Sequence, residues 1–144
     1  DARPGAWYHP APSSETRPAM TQILFDGMGG FLGSIARYLL VGLVQSPAPG
    51  SFPLGTLAVN VAGCVLIGGL SELLNARPFL TGEGRAFLVI GLLGGFTTFS
   101  AFGNETINLL RHAGPALAGA NVLANVALAL GGVWIGRSVA HMFA

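Results

Sequence analysis

The residues of this sequence able to do chemistry are polar side chains set inside long apolar runs: Arg37, Thr56, Asn60, Thr97, Thr98, Ser100, Asn104, Glu105, Asn121 and Asn125. Polar groups inside a lipid-spanning segment are costly, so each is a candidate for function by default. Thr56 and Asn60 stand four residues apart and would share one helix face, as would Asn121 and Asn125. Two readings stand for each pair: a hydrogen bond from helix to helix, or the wall of an ion path. Arg37, beside Tyr38, has two readings as well, since its long stem could snorkel to the interface or carry the guanidinium into an aqueous vestibule.

Together these residues offer amide and hydroxyl donors next to phenyl rings. A phenyl ring has a positive edge and a negative face, so rings presented edge-on among neutral donors suit a small anion. Proton-coupled pumping needs a buried carboxylate or a histidine relay. The three histidines fall in the N-terminal segment, a short loop and the C-terminal tail, and besides Arg37 only Glu105 could be a titratable group in the middle of a span.

The element that must position this chemistry is Gly91 to Glu105, GLLGGFTTFSAFGNE, within an apolar stretch from Ala86 to Leu110. Glycine lowers helix propensity by about 1 kcal/mol per residue and β-branched threonine by less, so a helix break is expected between Gly94 and Ser100. Unpaired backbone groups survive at membrane depth only where protein buries them or a wet cavity receives them. Broken spans are accordingly where transporters bind ions.

Around that element the chain reads as an all-α, polytopic membrane protein, with 51% hydrophobic and 9% charged residues. Four apolar stretches, Ile23–Val44, Pro53–Leu74, Ala86–Leu110 and Pro115–Val139, each approach the ~20 residues needed to cross the hydrocarbon core. Short connections at Gln45–Ser51, Asn75–Arg85 and Arg111–Pro115 set sequential helices antiparallel. Small residues recur at four-residue spacing, Gly29/Gly33, Gly91/Gly95 and Gly132/Gly136, a spacing that lets membrane helices approach closely. Four such thin helices enclose little by themselves, so a homo-oligomer, most simply a dimer, is expected to form a pore. Residues 1–19, with four prolines and no apolar run, read as a disordered extension or start-site artefact ahead of a channel domain at 20–144. The single cysteine, Cys64, excludes an intrachain disulfide, and seven unclustered arginines give no stripe for nucleic acid. With the N-terminus, second loop and C-terminus on one side, that side carries Arg77, Arg85 and Arg137 against Arg111 and Arg37, too small a bias to fix one orientation.

At these residues the sequence resembles the Fluc/CrcB family of fluoride channels, through GGFLGSIARY (Gly29–Tyr38), GTLAVNVAG (Gly55–Gly63), GGFTTFSAFGNE (Gly94–Glu105) and a small-residue fourth helix ending in WIGR. The resemblance implies a passive fluoride-selective channel of the inner membrane, not an enzyme, that exports cytoplasmic fluoride. It implies two antiparallel four-helix subunits, a dual-topology homodimer, with two pores along the interface. By the same resemblance Asn60 faces the ion path, Phe99 and Phe102 line it edge-on, and Arg37 sits in the vestibule. Thr98 and Ser100 border the pore at the break. The carbonyls of Gly94 and Thr97 from both subunits would hold a central structural Na⁺. The sequence departs from the family where TTFST becomes TTFSA, so that Ala101 lacks a hydroxyl, and where fourth-helix Tyr and Ser positions become Asn121 and Asn125. Two rival classes remain. A four-helix dual-topology multidrug/proton exchanger needs a carboxylate in the middle of the first helix, where only Asp26, near its entrance, is available. A non-transporting assembly factor would use its glycine faces to hold partner helices.

Overall fold

The computed structural model describes residues 20–47, 50–76 and 80–143; Arg77 and the segment 1–19 lie outside the described residues. Among them the chain is helical, in the order α1 (Met20–Gln45), α2 (Leu54–Ala76), α3 (Gly82–Arg85), a π-helical stretch (Ala86–Leu93), α4 (Gly94–Phe96), α5 (Phe99–His112) and α6 (Pro115–His141). The segments from α3 to α5 form one span, Gly82–His112, so the described chain has four helices long and apolar enough to cross a membrane. The third begins four residues before the expected apolar run, because Thr81 caps it: its hydroxyl accepts from Gly84 N at 3.2 Å.

The turns are closed by identifiable groups. Gln45, the last residue of α1, donates through Nε2 to Phe52 O at 3.3 Å and accepts from Gly55 N through Oε1 at 3.1 Å, which satisfies an orphan donor at the start of α2. Between α5 and α6 the chain reverses at Gly114, whose φ of 97° is the left-handed conformation that glycine adopts without a Cβ penalty. Pro115 follows as the first residue of α6, where its missing N–H costs nothing.

Sequential helices do run antiparallel, but the closest packing joins helices that run parallel and are not neighbours in sequence. Gly29 and Gly33 of α1 lie against the third span at Phe87, Leu92 and Phe96, and Gly91 and Gly95 of that span lie against Asp26, Gly29 and Gly30. The register increases in the same direction on both chains. Gly68 of α2 likewise packs on Val133, and Gly136 of α6 on Val65 and Gly69. A β-carbon at Gly33 would stand 2.9 Å from Phe96 N, and one at Gly95 2.6 Å from Gly30 O, so these helices meet backbone to backbone. Close approach of this kind is what holds helices together where lipid removes the hydrophobic drive between them.

Candidate functional site

The third span breaks at Thr97 and Thr98, inside the expected window. Both residues are extended, at φ −81°, ψ 161° and φ −152°, ψ 110°. Two hydroxyls restart and finish the helices on either side. Thr98 Oγ1 accepts from Ala101 N at 3.2 Å as the cap of α5, and Thr97 Oγ1 donates back to Leu93 O at 3.2 Å. The π-helical turns just before the break were not legible in the residue pattern; such wide turns recur at functional sites.

Asn60 of α2 closes the gap in the backbone. Its Oδ1 accepts from Thr98 N at 2.9 Å and its Nδ2 donates to Thr98 O at 3.3 Å, so one side-chain amide replaces the pairing that an unbroken helix would supply. The Thr98 N–H would otherwise point toward Gly94 O, one helical turn back. Thr97 O has the Arg37 guanidinium at 3.5 Å, so Arg37, half-buried on α1, reaches the break itself. Gly63 makes room here, since a β-carbon there would collide with Thr97 Cγ2.

From Asn60 a line of polar groups runs into α5 and α6. Asn60 Nδ2 donates to Asn125 Oδ1 at 3.2 Å, Asn125 Nδ2 to Asn121 Oδ1 at 3.0 Å, Asn121 Nδ2 to Thr106 Oγ1 at 2.8 Å, and Thr106 Oγ1 to Phe102 O at 2.7 Å. Asn121 and Asn125 are buried. Thr56, also buried, donates to Glu105 Oε1 at 2.7 Å, while Glu105 Oε2 is buried with no hydrogen-bond partner. The helix-to-helix reading of the paired polar residues holds: Thr56 bonds to α5, and Asn60, Asn121 and Asn125 join α2, α5 and α6 in one continuous line of donors.

A groove of about 520 Å³ opens alongside, lined by Asn60, Gly94, Thr97, Thr98, Phe99, Phe102 and Asn125 together with apolar residues of α2, α6 and the third span. Phe99 and Phe102 stand with ring centroids 5.4 Å apart and planes tilted by 54°, which turns the edge of one ring toward the other. Phe99 is 83% exposed, although it sits at the middle of a span. Ser100 is also exposed, with its Oγ 3.4 Å from Thr98 Oγ1, and Asn104 is exposed on α5. Phe96 instead lies half-buried among the backbones of α1 and α2, close to Gly33 and Gly63.

The structure thus brings Asn60, Thr98, Phe99, Phe102 and Asn125 to one groove and joins Asn121 to it through Asn125. It adds one group that the sequence reading missed, Thr106. A threonine in a helix commonly spends its hydroxyl on a carbonyl one turn back, and nothing in the pattern marks one that also bridges to a neighbouring helix. The usable signal was its place four residues after Phe102, on the same face of α5.

Four spans, one of them broken at mid-length with an amide clamped across the gap and a donor line beside it, define an α-helical membrane protein of the ion-conducting kind. The sequence model of the family described as "CrcB-like protein, Camphor Resistance (CrcB)" matches residues 24–137. The chain belongs to that family. It is 50% identical over 122 residues to a "Fluoride-specific ion channel FluC" of Geobacter sulfurreducens, covering 85% of this chain and 98% of the relative. A protein of the same description from Elusimicrobium minutum is 48% identical over 124 residues, covering 85% of this chain and 96% of that one.

Proposed function

We propose that this protein is a passive fluoride-selective channel of the inner membrane that lets cytoplasmic fluoride out, working as an antiparallel, dual-topology homodimer. The observation that carries this reading is the donor line Asn60–Asn125–Asn121–Thr106 running from the helix break beside the Phe99–Phe102 pair. Amide and hydroxyl donors beside ring edges replace the water of a small anion along the line, with the one nearby cation among the described residues, Arg37, held at the break on Thr97 O. Both N–H groups of Asn60 are engaged, so an anion reaching it takes the place of an acceptor oxygen, Asn125 Oδ1 or Thr98 O. The names of the two relatives supply the identity of the anion.

The dimer is supported by the exposure of Phe99 and of the groove, which a second copy would cover. Dual orientation is supported by the weak arginine bias from residue 20 onward, three against two. A hard cation on the Gly94 and Thr97 carbonyls is supported by the place of both residues in the groove lining and by the open space beside Gly94; Thr97 O, which accepts from the Arg37 guanidinium at 3.5 Å, would have to give up that bond to join. A Na⁺ bound there would supply positive charge to offset the carbonyl dipoles at the centre of the dimer. Liposomes carrying the purified chain, given valinomycin and an outward K⁺ gradient, are expected to release fluoride rapidly and to retain chloride. Chloride leakage at a comparable rate would refute the selectivity.

A further inference from the structure

The hydrogen bonds of the donor line all run one way, and a backbone group at each end fixes the direction. A carbonyl oxygen can only accept, so Thr106 Oγ1 donates its single proton to Phe102 O. It has only lone pairs left for α6, and so it accepts from Asn121 Nδ2. Asn121 then turns Oδ1 to Asn125, and Asn125 turns Oδ1 to Asn60. From the other end, the backbone N–H of Thr98 can only donate; it claims Asn60 Oδ1 and leaves the Asn60 NH₂ to face Asn125. An asparagine amide is nearly symmetric in shape and takes its orientation from its partners. In the middle of the line Asn125 Nδ2 also donates to the backbone O of Asn121 at 3.1 Å, so three backbone groups impose the same orientation on three consecutive amides.

An anion is an acceptor, so it enters such a line by replacing an oxygen while every donor stays aimed. If one amide turned over, it would present Oδ1 to the ion instead, and the path would be interrupted there. Building on the channel reading above, we propose that Thr106 is the terminal donor of the anion path and the positioning residue that holds Asn121, the last amide of the line, in its conducting polarity. Valine has the shape of threonine but neither the donor nor the acceptor. In its place the Asn121 NH₂ loses its partner in a buried site, and only the bond that its Oδ1 accepts from Asn125 is left to orient the amide.

The test uses the full chain reconstituted in liposomes, with fluoride efflux normalised to the amount of assembled protein. Thr106→Val is expected to slow efflux at least about tenfold at unchanged assembly, because a buried donor loses its partner and the path its last hydroxyl, while Thr106→Ser restores most of the rate. In an Asn121→Ala background, where the link is already gone, Thr106→Val should change the rate by less than about twofold, since groups acting through one contact are not additive. Wild-type efflux from Thr106→Val overturns the proposal. So does a serine variant as slow as the valine one, or the same tenfold loss in the Asn121→Ala background. Should Thr106→Val not assemble, Thr106→Ala against Thr106→Ser decides in the same terms, equal rates counting against the hydroxyl. A wild-type chain that moves no fluoride would sink the channel reading and this proposal with it, a failure distinct from a conducting wild type with an indifferent Thr106.

Discussion

Asn60 carries two tasks that pull on the same four hydrogen-bonding sites. It stands in for backbone pairing at Thr98 and it begins the donor line at Asn125, so the helix break and the donor line are positioned by one side chain. Phe99 differs from it, because its exposure in the protomer leaves it little structural work, while Phe102 beside it is half-buried. Phe99 is 83% exposed, so replacing it by leucine removes almost no packing from the subunit itself. A ring edge, however, supplies electrostatics that an aliphatic side chain does not. Phe99→Leu and Phe102→Leu are expected to slow fluoride efflux at least about tenfold at unchanged dimer content. Phe96→Leu, in the packed region between α1 and α2, is expected to cost less than about 1.5 kcal/mol of stability and to leave the rate per dimer unchanged. Efflux that simply follows the yield of folded protein in all three variants would make the rings packing residues only.

At the scale of elements, the arrangement depends on glycines that let backbones touch. Two glycines of α6, five residues apart, separate this from mere composition. Gly136 packs on Val65 and the Gly69 backbone, with a β-carbon placed there standing 2.8 Å from Gly69 N, whereas Gly131 has nothing within 4 Å of its own β-carbon position. Gly136→Ala is expected to destabilise the folded subunit by about 1–3 kcal/mol through overpacking against backbone that has no rotamer to yield. Gly131→Ala should be neutral or stabilising, because it gains helix propensity at no steric cost. Thermal unfolding in detergent compares the two, and equal midpoints would show that the parallel α2–α6 contact is not tight in solution.

For the whole molecule, Gly94 and Thr97 at the break line the groove that a partner would cover. If a Na⁺ shared between two copies sits on their carbonyls, it binds the dimer and not the separate chains, and mass action makes assembly depend on its concentration. Exchanging Na⁺ for a bulky organic cation is expected to weaken the dimer at least about tenfold, read by size exclusion or by subunit exchange between labelled populations. A dimer equally stable in either cation would remove the ion from the interface without touching the donor line.

Much of this was legible in the sequence. Hydropathy runs of the right length gave four spans to within a few residues, since crossing a bilayer fixes both length and composition. Glycine and threonine at Gly94–Thr98 announced the break, because their backbone preferences are local properties. The polar residues of the site were also visible as anomalies in apolar runs. Which helix met which was decided only in three dimensions. Glycine spacing marks a surface as able to pack closely but says nothing of its partner, and the parallel pairing of α1 with the third span and of α2 with α6 comes from the joint fit of four backbones. The same holds for the donor line. Asn60, Thr106, Asn121 and Asn125 are up to 65 positions apart, and a hydrogen bond's direction belongs to the pair that makes it. The roles of the three amides follow from backbone groups, Thr98 N–H and Phe102 C=O at the two ends and Asn121 C=O between them, that every sequence contains and only this fold brings to one line.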